Sequence, residues 1–228
     1  MPRLILLWLL ALLPPLAGAQ APFEDSMAQR MQACTLCHGK EGRAAPDGYY
    51  PRIAGKPAGY LYQQLLAFRD GRRHYGPMRE LLAPLSDAYL QEIAQHFAQL
   101  ELPYAAAQPA ALPAQDLARG QALVRQGDAS RGLPACSACH GEALLGAQAR
   151  IPGLLGLPRD YLNGQLGAWR AGQRRAAAPD CMAEIAKRLH PEEINAISHW
   201  LAGQTVPVGA KPAPSPPKPA PMRCGGLP

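Results

Sequence analysis

Cys34-Thr35-Leu36-Cys37-His38-Gly39 and Cys136-Ser137-Ala138-Cys139-His140-Gly141 are one six-residue frame written twice, 102 positions apart. The likeness runs well beyond the frame. Pro51, Gly55, Pro57, Tyr60, Leu61, Gln64, Leu65, Arg69 and Gly71 recur 101 positions on as Pro152, Gly156, Pro158, Tyr161, Leu162, Gln165, Leu166, Arg170 and Gly172, and Phe68 aligns with Trp169. Met78, Leu85, Leu90 and Ile93 then match Met182, Leu189, Ile194 and Ile197 at an offset of 104. Self-similarity over this distance marks an internal duplication. Each copy is about 80–90 residues, a size whose core needs a staple or a cofactor to be complete.

The duplication sets the expected organisation: a first module over 20–100, a linker over 101–115, a second module over 116–203 and a tail over 204–228. The linker is Ala-rich and carries Pro103, Pro109 and Pro113, which makes it semi-rigid. The tail holds eight prolines, from Pro207 to Pro228, and is expected to be extended or disordered. Within the modules the apolar spacing is helical. Leu61, Leu65 and Phe68 share one helix face, and Ser86 is placed to cap a helix carrying Leu90, Ile93, Phe97 and Leu100. Pro191 suits the first position of the matching helix in copy two. Neither copy shows sustained period-two alternation, so the expected fold is all-α, twice.

The chain's 228 residues, 48% of them apolar, allow one or two domains. Its 25 prolines and 22 glycines require much turn and loop. No apolar run reaches the ~20 residues that span a bilayer. There is no P-loop, no dinucleotide fingerprint and no heptad repeat. Residues 1–19 read as a secretory signal, with Arg3, the apolar stretch Leu4 to Leu13, the break at Pro14-Pro15, and small residues Ala17-Gly18-Ala19 before a cut at Gln20. The mature chain is then exported, to the periplasm, and meets an oxidising environment. The formal charge is +6, of which Arg3 contributes one unit. The basic residues form no long run, and an exported chain rarely meets nucleic acid; steering toward an acidic partner surface is the better use of this charge.

Two thiols three positions apart, with an imidazole beside the second, are spaced to add across the two vinyl groups of a haem while the histidine reaches the iron. CxxC also serves zinc and dithiol chemistry, but its repetition inside a duplicated helical module favours haem. Cys34, Cys37, Cys136 and Cys139 are thus the expected attachment points of two haems, and His38 and His140 the iron ligands. Met78 and Met182 occupy the same place in the two copies, and each is the expected second axial ligand. A thioether opposite a histidine raises the potential and fills the coordination sphere, which suits electron transfer better than oxygen chemistry. His74 is a rival to Met78. Cys181, directly before Met182, has three readings: a disulfide to Cys224, a free or buried thiol, or an iron ligand. Pro51 and Pro152 are placed to offer the carbonyl that accepts the ligand histidine's Nδ1–H. Arg69, Arg72, Arg73, Arg79, Arg170, Arg174 and Arg175 read equally as haem-propionate partners, a docking face or a solvated cluster. Phe97 and Trp200 read as core.

These frames resemble class I c-type cytochromes, and the duplication resembles the dihaem cytochrome c4 (cytochrome c553-like) family over roughly Phe23 to Ala202. The most telling stretches are Tyr60 to Arg73, its echo from Tyr161 to Arg174, and Leu85-Ser86-Asp87. The resemblance implies two class I cytochrome c domains in pseudo-twofold relation, and axial pairs His38 with Met78 and His140 with Met182. It also implies a periplasmic carrier of single electrons between respiratory donors and terminal oxidases or reductases, with no turnover of its own. A chain of this type could alternatively be the cytochrome subunit of a flavocytochrome-type dehydrogenase. A thiolate-ligated sulfur-oxidising enzyme is a third reading, supported by Cys181 alone. Peripheral membrane association is compatible with each.

Overall fold

The duplicated sequence builds two halves of matching helices. The computed structural model describes residues 24–216 and 221–226; the proposed signal segment lies outside the described residues. The first half contains α1 (Met27–Arg30), α2 (Gln32–His38), α3 (Ala58–Arg69), α4 (Gly76–Leu82) and α5 (Asp87–Ala98). The second contains α6 (Ala114–Arg125), α7 (Ser137–His140), α8 (Arg159–Arg170), α9 (Cys181–Arg188) and α10 (Pro191–Ala202). A two-residue hairpin, β1 (Gly146–Ala147) with β2 (Ile151–Pro152), follows α7.

Local chemistry places the helix starts. Pro57 and Pro158 precede α3 and α8, where a missing N–H leaves nothing unsatisfied. The Ser86 hydroxyl accepts the Tyr89 N–H at 3.2 Å and caps α5. Leu90, Ile93 and Phe97 of α5 then pack with Leu61 of α3, Leu82 of α4 and Met31 into the first core. In the second core Ile194, Ile197 and Leu201 of α10 lie against Leu123 and Val124 of α6 and Leu162 of α8. The α6–α10 crossing is close enough that a Cβ on Gly120 would stand 2.4 Å from the Ala196 carbonyl oxygen, so only glycine allows it. Phe97 is fully buried, while Trp200 is partly covered with Arg125 over its ring.

The start of α10 carries a buried acid. Glu193 accepts the His190 N–H at 3.0 Å in a capping box, and receives Arg131 at 2.8 Å and Arg119 at 2.6 Å. Burial pushes its carboxyl up, but the hydrogen bonds from Arg131, His190 and Arg119 outweigh that and hold it at about 2. A carboxylate depressed in the fold stabilises above the ordinary pKa of about 4.5, and that contribution fades as pH falls toward 2. Glu193→Gln is expected to cost about 1.5–3 kcal/mol at pH 7, because Arg131 and Arg119 lose a charged acceptor and keep only Asp128. Thermal melts from pH 7 to pH 3 should show the gap between wild type and variant closing as pH falls.

The halves meet through like residues. The backbones at Arg73 and Arg174 form an antiparallel bridge, with the His74 N–H donating to Gln173 O at 2.9 Å and the Arg175 N–H to Arg72 O at 2.8 Å. The linker is more than stiff: it is held. Arg52 donates to the carbonyls of Ala54, Leu102 and Pro103 and lies 4.1 Å over the Tyr104 ring. Tyr104 in turn packs where a Cβ on Gly156, already at φ +67°, would be only 2.2 Å away.

The tail corrects the expectation of an extended or disordered end. Among its described residues, the Ala213 N–H donates to Gly146 O at 2.9 Å and the Gln148 N–H to Ala213 O at 2.8 Å, so residue 213 adds a bridge beside β1. Lys211 pairs with Glu101. Cys224 forms a disulfide with Cys181, and the Gly225 N–H donates to Pro179 O at 3.0 Å. Prolines leave the tail without a ladder of its own, yet these single anchors bind it to the linker and the second half.

Candidate functional site

Helix α2 ends on His38 and α7 on His140, so each imidazole stands at the last residue of the short helix that follows or contains its cysteines. His38 Nδ1 lies 2.9 Å from the Pro51 carbonyl oxygen, and His140 Nδ1 2.8 Å from that of Pro152. A carbonyl only accepts, so each Nδ1 carries the proton and each Nε2 keeps its lone pair. Burial lowers the pKa of both rings below the usual imidazole range; the proline carbonyls oppose this, and Arg73 near His38 and Lys56 near His140 add to it. Both imidazoles are therefore neutral donors at pH 7. None of the four cysteines of the frames is in a disulfide. Burial pushes the Cys136 thiol up to about 11 and raises Cys34 and Cys139 in the same sense. Zinc would require thiolates and further ligands, and no group of three metal-binding side chains exists among the described residues.

Met78 sits in the first turn of α4 and packs against the first core; Met182 holds the matching place in α9 and is half-buried. His74 lies on the inter-module bridge with its side chain exposed. Cys181 is bonded to Cys224. That removes the free-thiol and iron-ligand readings of Cys181, and with them the only feature that pointed to a thiolate-ligated enzyme.

The arginines divide by position. Arg69 and Arg170 serve the loops after the Met helices: Arg69 donates to Leu85 O at 3.0 Å and pairs with Asp87 at 2.7 Å, and Arg170 donates to Leu189 O. Arg73 and Arg174 turn inward, only 7% and 5% exposed. Arg73 donates to Gln64 at 2.9 Å, Gln165 at 2.6 Å and Tyr161 at 3.0 Å. Arg174 answers with Gln165 at 2.8 Å, Gln64 at 2.8 Å and Tyr60 at 3.3 Å. The two guanidiniums lie over Phe68 and Trp169, at 4.3 and 3.7 Å. Neither has a carboxylate within 4 Å among the described residues. Two adjacent buried cations without counter-charge call for an anion, and the Trp169 Nε1–H is buried and unpartnered beside them. A haem brings two propionates, so this donor set fits the group that the cysteine frames call for.

Sequence reasoning missed two features. Tyr50 and Tyr75 join hydroxyls at 2.9 Å, and Tyr50 lies edge-on to His38 with ring centres 6.0 Å apart. Lys56 is buried against the second module. Both stand where the two copies differ, at Ile151 and Leu157, so a search for matches passes over them. The frames also differ in cover: Leu36 is 85% exposed, whereas Ala138 at its place in copy two is half-buried.

No family model matches the chain. A thiosulfate dehydrogenase electron acceptor of Thiomonas intermedia is 34% identical over 191 residues, spanning 83% of this chain and 84% of that protein. Cytochrome c4 of Pseudomonas aeruginosa is 34% identical over 192 residues, spanning 82% of this chain and 92% of its own. The crystal structure of reduced cytochrome c4 from Pseudomonas stutzeri matches with a TM-score of 0.68 at 29% identity, over 78% of this chain and 96% of that one. Kinship of this depth runs through both halves and accompanies the same architecture, all-α with two tandem class I cytochrome c domains. The chain belongs to the cytochrome c4 family: it is an electron-transfer protein, not an enzyme, and it carries two covalently attached c-type haems.

Proposed function

We propose that Cys34 and Cys37 hold one haem and Cys136 and Cys139 the other, with His38 and Met78, and His140 and Met182, as axial pairs. The observation that carries this reading is the Nδ1-to-proline-carbonyl contact built twice, at 2.9 and 2.8 Å, by residues at equivalent places in the repeat. When bound, each haem supplies a one-electron ferric–ferrous couple. The chain's own residues do the rest. Pro51 and Pro152 fix the imidazole planes and keep Nε2 unprotonated. Met78 and Met182 offer a soft thioether that favours the ferrous state. Arg73, Arg174 and Trp169 receive propionates at the module boundary, and the two apolar cores keep water away.

For partners, the relatives named as electron acceptors of thiosulfate dehydrogenase support a dehydrogenase as donor; a terminal oxidase or reductase is the acceptor. The exposed Leu36 and Tyr49 beside the first frame suit a small, transient contact. We place the protein in the periplasm, a reading supported by the signal-like residues 1–19 and by the Cys181–Cys224 disulfide. The test is stopped-flow mixing of the oxidised protein with thiosulfate and a catalytic amount of thiosulfate dehydrogenase. Both haems are expected to reduce rapidly, at a rate that falls as salt rises. If the dehydrogenase turns over with another acceptor but leaves this protein oxidised, the donor assignment is wrong.

A further inference from the structure

Among the described buried cations, Arg73 and Arg174 face the module boundary and Arg52 holds the linker, which leaves Lys56 without a role in the contacts above. It belongs to the first module, two residues before the start of α3, but its side chain crosses the boundary. It is 5% exposed, and its Nζ donates to the Gly153 carbonyl of the second module at 3.0 Å. Gly153 follows Pro152, whose carbonyl holds the His140 ring at 2.8 Å. No carboxylate lies within 4 Å of Lys56 among the described residues. The position is one-sided: its repeat partner is Leu157, so the second module offers the first no such cation in return.

Stability does not explain this lysine. Burial, with repulsion from Arg52, draws its pKa down to about 7, and an apolar side chain of equal volume would serve packing better. Electrostatics does explain it. Reduction adds one negative charge at an iron, and a buried positive charge near one iron stabilises that added electron far more than a solvated charge would.

We propose that Lys56 is a positioning residue acting across the module boundary: its ammonium, fixed on the loop that holds His140, raises the reduction potential of the second haem relative to the first. An electron shared between the two centres then rests preferentially on the second. This inference rests on the assignment of His140 as an iron ligand.

The test uses the full-length dihaem protein and three variants. Lys56→Met removes the charge and the hydrogen bond, Lys56→Gln removes the charge but keeps a donor for Gly153, and Lys56→Arg keeps the charge. Two haems per chain and two ferric Met-sulfur bands in each variant show that attachment and ligation are intact. A spectroelectrochemical titration at pH 6 then gives two steps, with the second haem assigned by the paramagnetically shifted ring protons of His140. The ratio of electron occupancy, second haem over first, is expected to fall about tenfold in Lys56→Met and Lys56→Gln and to recover in Lys56→Arg. The first haem's step stays in place. Unmoved steps, a common shift of both, or a Lys56→Gln protein that titrates like wild type would each overturn the proposal. A wild-type protein lacking one haem or one Met-sulfur band would instead locate the failure in the ligand assignment.

Discussion

Met78→His is expected to erase about half of the ferric Met-sulfur absorbance and to pull one of the two reduction potentials down by a few tenths of a volt, within the ~0.8 V span that axial ligands command. The reason is electronic. A thioether is a soft, weak donor that favours the ferrous iron, whereas a second imidazole favours the ferric. Met182→His should erase the other half and lower the other potential. The haem count should stay at two in both variants, because Cys34, Cys37, Cys136 and Cys139, the proposed attachment points, are untouched. Optical spectra and a redox titration read both effects. An unchanged band in Met78→His would reject that ligand outright, and His74, exposed on the inter-module bridge, would need a large movement to replace it.

The second large effect concerns the tail. The Cys181–Cys224 bond closes a loop with a sequence separation of 43, and closing a loop of that size stabilises by about 2–4 kcal/mol. Cys224→Ser should therefore lower the melting temperature of the second module by on the order of 10–20 °C, since a module this small shifts by ~4–8 °C per kcal/mol. Reductant should reproduce the loss in wild type and do nothing further to the variant. Because Cys181 adjoins Met182 at the start of α9, the Met182 share of the Met-sulfur band should be the first to fade on heating. Calorimetry and optical melts on the same sample check both statements. Equal melts with and without the bond would mean that the tail lies on the surface without supporting it.

The duplicated frames, the helical spacing and the Ser86 cap were all legible in the sequence, because each depends on residues close in the chain or repeated in it. So were the proline carbonyls, since the repeat fixes their distance from each histidine. Arg73 was harder. It stands in an Arg-Arg pair of which one member, Arg72, stays partly exposed beside Asp70 while the other turns inward; no local pattern distinguishes them. The tail misled for a related reason. Its prolines correctly forbid a ladder, but one bridge at Ala213 and one disulfide suffice to anchor it, and neither leaves a compositional trace. The hairpin of β1 and β2 is two residues a side, too short for alternation to register.

The boundary between the modules has a further consequence. Tyr60, Gln64 and Arg73 face Tyr161, Gln165 and Arg174, so like meets like across an axis. That is the grammar of an isologous homodimer, in which one self-complementary patch serves both partners. A single module bearing such a patch would have to find its twin by diffusion. Joining two copies through a short linker makes the encounter intramolecular, independent of dilution. Tethering also releases the copies from identity wherever the axis does not pass. Tyr50 against Ile151 and Lys56 against Leu157 are divergences of this kind. A symmetric pair has two equivalent irons and no preferred direction between them; the fused chain retains the symmetric seam and makes the two ends different.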